Sequence, residues 1–145
     1  NVIAPALEQA KETGFPSAAI ELADGTVVTG KTSDLLGASA ALILNALKTL
    51  AKMDDSVHLI SPDIIEPIQR LKTDHFGNSN PRLHTDEVLI ALSICATTDE
   101  RAELAMKQLG KLRGCELHST VILSTVDEKV LKRLGINITC EPMYK

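Results

Sequence analysis

The sequence predicts an α/β domain built on a mixed five-stranded sheet, with an antiparallel hairpin first, parallel strands after it and helices on both faces. Three observations predict it. Ala18-Ala19-Ile20-Glu21-Leu22 and Thr26-Val27-Val28-Thr29 are strand-like runs separated by Asp24-Gly25, the favoured two-residue hairpin turn. A helical stretch from Ser33 or Asp34 to about Lys52 carries Leu35, Leu36, Ala38, Ala40, Ala41, Leu42, Ile43 and Leu44, apolar or small all round, as in a helix buried against a sheet. Short apolar runs then alternate with capped helices to the end of the chain, the pattern of crossovers that cover a parallel sheet.

Taken in order, Ala4 to Thr13 reads as a helix with Pro5 in its first turn and Gly14 as its stop. The hairpin occupies Ser17 to Leu22 and Thr26 to Thr29. After the buried helix, Val57-His58-Leu59-Ile60 is a short apolar strand, and Ser61-Pro62 opens the next helix as cap and first residue. That helix carries Ile64, Ile65, Ile68 and Leu71, with Pro67 near its start. Gly77-Asn78-Ser79-Asn80-Pro81 is a loop. Two helices follow, roughly Thr85 to Ala96 and Asp99 to Leu112, the second opened by a capping box from Thr97 to Glu100. Glu116 to Leu123 is a strand, Thr125 caps another helix with Glu128, Gly135 ends it, and Ile136 to Cys140 is the last strand. The order is α-β-β-α-β-α-α-α-β-α-β.

At 145 residues the chain is a single domain, residues 1–145. With no Trp, one Tyr and two Phe, its core must be aliphatic. Scarce aromatics argue against a single-stranded nucleic-acid platform, and a net charge of −4 argues against general attraction to phosphate backbones. No stretch reaches the ~20 apolar residues of a membrane helix, and no secretory signal opens the chain, so a cytoplasmic protein is expected. Three Cys, at 95, 115 and 140 and without CxxC spacing, suit reduced thiols. The chain starts at Asn1 and runs at once into a helix, as expected of the C-terminal piece of a longer polypeptide.

Gly25 to Thr32, GTVVTGKT, matches the phosphate-binding pattern GxxxxGK[ST]. A working phosphate loop needs small residues whose amides curl around phosphate. Here Thr26 to Thr29 are four β-branched residues that favour extended backbone, so a hairpin running into a helix is the favoured reading. Even so, Lys31, Thr32 and Ser33 stand where a strand meets a buried helix, and amides and a cation at a helix start suit a phosphate or carboxylate. Against this, Gly30 serves equally as a bend, Ser33 as a cap and Lys31 as a solvated side chain. Ser61, Asp63 and Glu66 open the next helix, where acids favour the dipole; Glu66 is the candidate general base of that group. Arg82-Leu83-His84-Thr85-Asp86-Glu87 holds four ionisable groups in six positions. Arg82 suits an anion clamp and His84 a proton carrier, while capping by Thr85 explains the same letters. His118, with Cys115, Ser119 and Thr120 on one strand, reads as a hydrogen-bonded structural histidine, and no partner at metal spacing supports zinc.

The element order resembles the cytidine deaminase fold, most closely in Ala18 to Gly30, AAIELADGTVVTG. That resemblance implies a zinc site at the starts of two helices, but Leu36-Gly37-Ala38-Ser39-Ala40 and Ser61-Pro62-Asp63-Ile64-Ile65 contain no His and no Cys, so a domain without zinc is expected. The strings DGTVVTGKTSDLLGAS, SPDIIEPIQRLK, NPRLHTDEVLIALS, HSTVILS and LGINITCEP resemble the C-terminal third of a bacterial family, the domain of unknown function numbered eighteen forty-six. The resemblance implies cytosolic proteins of about three times this length, some labelled ATP-dependent peptidases. It also implies an earlier domain with its own glycine-rich, phosphate-loop-like segment, absent here.

The expected function is therefore a ligand-binding and assembly module, working with the N-terminal domain of the same polypeptide. Its pocket is expected at the helix starts near Ser33 and Pro62. Lys31, Thr32 and Ser33 would hold a small anionic ligand, with Arg82 and His84 approaching from their loop. Two alternatives stand beside it: a phosphate-loop ATP-binding hydrolase using GTVVTGKT, and a homo-oligomerisation domain assembling through an apolar helix such as Val88 to Ala96. The sequence names no cofactor and no reaction.

Overall fold

A computed structural model describes residues 1–144. Helix α1 (Ile3–Thr13) stops where Gly14 takes a left-handed φ of 74° and returns its N–H to the Ala10 carbonyl. Strands β1 (Ser17–Glu21) and β2 (Val27–Lys31) pair antiparallel, from Ser17 opposite Lys31 to Glu21 opposite Val27. Their connection is a three-residue loop, Ala23-Asp24-Gly25, not the expected two-residue turn. Leu22 N–H bonds Thr26 O at 2.8 Å, Gly25 N–H bonds Leu22 O at 2.9 Å, and Gly25 takes φ 88°, the left-handed residue that this longer hairpin loop requires. Asp24 Oδ1 accepts the Thr26 N–H at 2.9 Å, and that bond holds its carboxyl below the ordinary range. GTVVTGKT is thus a turn and an edge strand. Its backbone is extended and paired with β1 through alternate amides, with no curled loop for a phosphate, which overturns the phosphate-loop hydrolase reading.

The sheet has four strands in the order β2-β1-β3-β4, with β3 at Glu116–Ser119 and β4 at Asn137–Cys140. β3 pairs antiparallel with β1 and parallel with β4, which follows it through helix α6 (Thr125–Arg133). The fifth strand expected at Val57–Ile60 does not form. Val57 N–H closes a turn on Asp54 O, and Lys48 Nζ takes the carbonyls of Asp55 at 2.9 Å and Val57 at 3.3 Å. Leu59 and Ile60 are nevertheless buried, so the run is apolar because it lines the core and not because it joins the sheet. Periodicity cannot separate those cases over four residues.

Side chains alternate across the sheet. Ala18 and Ile20 face the main core beneath helix α2 (Ala38–Leu50), whereas Ala19 packs with Ala6 of α1 and with Val2, just before that helix, on the opposite face. Gly30 makes the α2 contact possible: a Cβ there would lie 2.4 Å from Leu42 N and 2.6 Å from Leu42 Cα. It is a point of helix-on-strand contact inside β2, not a bend.

Helix α2 starts at Ala38, later than expected. The Ser33 hydroxyl accepts the N–H groups of Leu35 and Leu36 and its own N–H bonds Leu36 O, which folds residues 33–36 into a separate turn. Helix α3 (Pro62–Arg70), capped by Ser61 Oγ on Asp63 N, continues as a π-helical turn over Leu71–His75. Helices α4 (Thr85–Cys95) and α5 (Glu100–Met106) follow, and a separate 3-10 turn covers Leu109–Leu112. Three caps differ from expectation by one or two residues. Asp99, not Thr97, accepts at the start of α5; Ser124, not Thr125, caps α6; and His84, not Thr85, is the cap position of α4. In α5 and α6 the expected Thr had a neighbour placed better for the first free amides, whereas in α4 Asp127 and Asp86 accept them.

Candidate functional site

The N-termini of α2, α4 and α6 converge beyond the end of β3, and a cavity of about 40 Å³ lies between them. α2 contributes Gly37, Ala38 and Ser39, with Thr32 beside them at the end of β2; Asn80, Arg82 and His84 come from the segment before α4; Ser119, Ser124 and Asp127 close the side of β3 and α6.

Each wall is fixed by a different device. Leu83 is held against the turn before α2 by a parallel bridge, Leu83 N–H to Leu35 O at 3.0 Å and Gly37 N–H to Leu83 O at 3.2 Å. The π-helical turn sets Lys72 inside the protein, 2% exposed, where Nζ donates to Arg82 O at 2.6 Å and Glu87 Oε1 at 2.7 Å. Glu87 Oε1 also accepts the His84 N–H at 2.8 Å, so one buried ion pair pins both residues flanking Leu83. On the far wall, Ser124 Oγ caps Asp127 N, and Asp127 Oδ1 reaches across 42 residues of chain to accept the Thr85 N–H at 2.9 Å.

The three helix starts differ in satisfaction. α4 and α6 have side-chain acceptors on their first amides. α2 has none, because its cap position is Gly37. Among the described residues, the N–H groups of Ala38, Ser39 and Ala40 have no partner, although all three residues are buried. A buried helix end with orphan donors calls for an acceptor. Ser39 and Thr32 are 4% and 6% exposed, and their hydroxyls have no partner among the described residues, although both oxygens keep a little surface. Arg82 spends Nε on Ser33 O at 2.5 Å and, among the described residues, forms no ion pair. The α2 start, Arg82, Ser39 and Thr32 therefore line one small space, an arrangement that favours negative charge. The opposite wall carries Asp127, whose Oδ2 lies 3.9 Å from His84 Nδ1, too long for a hydrogen bond.

Of the residues singled out from sequence, Thr32, Arg82 and His84 line this cavity. Lys31 does not: it lies at the exposed end of β2, in a wider depression with Thr49 and Asp55. Ser33 meets the site only through its carbonyl, since its hydroxyl closes the turn. Glu66 is exposed on α3, and Pro62 lies against Leu35, Leu44 and Ile65, so the start of α3 is not part of the site. His118 is buried on the α1 face, Nδ1 2.7 Å from Thr139 Oγ1 and Nε2 2.6 Å from Glu141 Oε2, a structural crosslink between β3 and β4. Burial pushes the Cys115 and Cys95 thiols up, which makes neither a primed nucleophile. Sequence reasoning did not assign Lys72 to this site, nor Ser39 or Asp127 as polar groups of it. Lys72 and Asp127 act through contacts that no local pattern announces.

Among the described residues, no group of three or more His, Cys, Asp or Glu is placed to hold a metal ion, and no helix is long and apolar enough to cross a membrane.

Comparison with known proteins gives a consistent result. The family described as "Domain of unknown function DUF1846, C-terminal" matches residues 1–145. The chain is similar to a UPF0371 protein of Corynebacterium urealyticum, 59% identical over 99% of this chain and 29% of that protein. It is similar to another of Corynebacterium diphtheriae, 56% identical over the same shares, and to one of Streptococcus pyogenes, 54% identical over 100% of this chain and 29% of that protein. The chain thus spans under a third of the length of these relatives.

Proposed function

We propose, for a chain that belongs to the DUF1846 C-terminal family, that it is a small-anion recognition module acting at the uncapped start of α2. The observation that carries this reading is the acceptor-less amide set of Ala38, Ser39 and Ala40, three buried residues, with Ser39, Thr32 and Arg82 lining the same cavity. An anion there satisfies donors that the fold leaves open, and the dipole of a 13-residue helix favours its charge. Volume sets the class of ligand. Cavities that enclose drug-sized molecules are roughly 300–1,000 Å³, so about 40 Å³ suits a carboxylate or phosphate group and not a whole nucleotide.

The test is an amide-resolved NMR titration with acetate and with methyl phosphate. Saturable shifts at Ala38, Ser39 and Ala40 are expected with at least one of them. Arg82→Ala should weaken binding by about tenfold or more, the scale of one charge-assisted hydrogen bond, with little change in stability. Absence of saturable shifts with both probes sinks the reading.

A second reading, assembly through α4, is favoured by one observation. Val88, Ala91 and Leu92 are buried, but Ile90 and Ile94, one turn apart, are 59% and 60% exposed. We propose a second copy of the chain as the partner. Sedimentation equilibrium should show a dimer that Ile90→Glu with Ile94→Glu dissociates, and a parent protein that stays monomeric at high concentration removes this reading.

A further inference from the structure

We infer that the ligand is a dipolar one, a small acid bearing a hydroxyl or ammonium group beside its carboxylate or phosphate, with Asp127 as the acceptor for that second group. The inference rests on the anion reading above and adds what the opposite wall demands.

Asp127 lies across the cavity from the α2 amides, and its two oxygens have different circumstances. Oδ1 is committed to the Thr85 N–H at 2.9 Å. Oδ2 has no hydrogen-bond partner among the described residues; the nearest cationic candidate, His84 Nδ1, stands 3.9 Å away. A carboxylate oxygen left without a protein donor beside a small cavity suits a donor on the ligand, since a hydrogen bond to an ionised acceptor is among the stronger ones. Among the described residues, no donor of the α2 wall reaches Asp127 Oδ2. Ser39 supports a ligand at that wall: the residue is nine-tenths buried, lines the cavity, and its hydroxyl has no partner among the described residues.

Two poles thus face one small space, an electropositive one made of amides, hydroxyls and Arg82, and an electronegative one made of Asp127 Oδ2. A simple anion satisfies the first and is repelled by the second. A molecule with an anionic group and a donor on the next atoms satisfies both at once, and a ligand that leaves a buried polar group unpaired is discriminated against strongly. A 2-hydroxy or 2-amino carboxylate meets this description, as does a phosphate monoester of a diol or amino alcohol. Their shared chemistry is an anion with an adjacent donor.

The experiment measures affinity by NMR titration for two matched pairs: acetate against glycolate, and methyl phosphate against 2-hydroxyethyl phosphate. The donor-bearing member is expected to bind at least about tenfold tighter in the pair whose anion the site prefers, which also identifies carboxylate or phosphate as the source. In Asp127→Asn, which keeps an oxygen for the Thr85 N–H, that preference should fall to near unity while the simple anion retains or improves its affinity. Equal affinities within each pair in the parent protein overturn the dipolar ligand and leave the anion site standing. Failure of all four probes to bind overturns both.

Discussion

Gly30 is the residue with the least room for change. Adding one methyl places a carbon 2.4 Å from the backbone of α2, and neither β2, locked to β1, nor α2, buried along most of its length, can yield. Gly30→Ala should destabilise by about 3 kcal/mol, the upper range for forcing an extra group into a packed interior, read as a lower urea midpoint with unchanged slope. The formal phosphate-loop pattern is explained by this contact: its second glycine is needed for a helix, not for a phosphate. At this scale the sequence was legible for Thr32, Arg82 and His84, whose chemistry is local. It was illegible for Lys72 and Asp127, whose partners are 15 and 42 residues away in the chain. Lys31 does not line the cavity, and a cation at a strand end looks the same in sequence whether it turns to the cavity or to water.

Among the three helices around the cavity, α2 begins on a glycine, whereas α6 begins on Ser124 and the first amide of α4 is taken by Asp127. Gly37 has an ordinary extended conformation, φ −69° and ψ 164°, and a Cβ there meets only Leu83 O, at 3.8 Å. An acidic side chain therefore fits. Gly37→Asp should cap α2 internally and raise stability by a few tenths of a kcal/mol, while its carboxylate takes the place of the anion and abolishes acetate and methyl phosphate binding. Stability gained with binding lost, measured by denaturation and titration on one variant, separates a ligand site from a merely unoptimised helix end. The hairpin was legible because Asp-Gly between β-branched runs has few other outcomes. The start of α2 was not, because Ser33 and Asp34 are good caps by composition, and the separate Ser33 turn together with the Leu36–Leu83 bridge delays the helix to Ala38. The same limit explains Val57–Ile60, where burial without pairing carries the letters of a strand.

Across the whole molecule, the α/β class, the leading hairpin, the helices on both faces and the parallel closing pair follow from pattern alone, and the strand count does not. A four-stranded sheet leaves β1 directly beside β3, so the cavity forms where the chain leaves β3 for α6 and where the α2 and α4 starts lean over that edge. The surrounding walls are tied to one another: Leu83 is bridged to residues 35–37, Lys72 clamps Arg82 and Glu87, and Asp127 holds Thr85. That lattice of crosslinks has a kinetic consequence. A receptor whose walls are already in place has no slow rearrangement to wait for, so the observed association rate should rise linearly with ligand concentration and not level off. Amide hydrogen exchange should agree, with Leu83 N–H as slow as the sheet interior before any ligand is added. A saturating rate would mean that the cavity opens and closes on its own clock, and that Lys72 is the latch to examine.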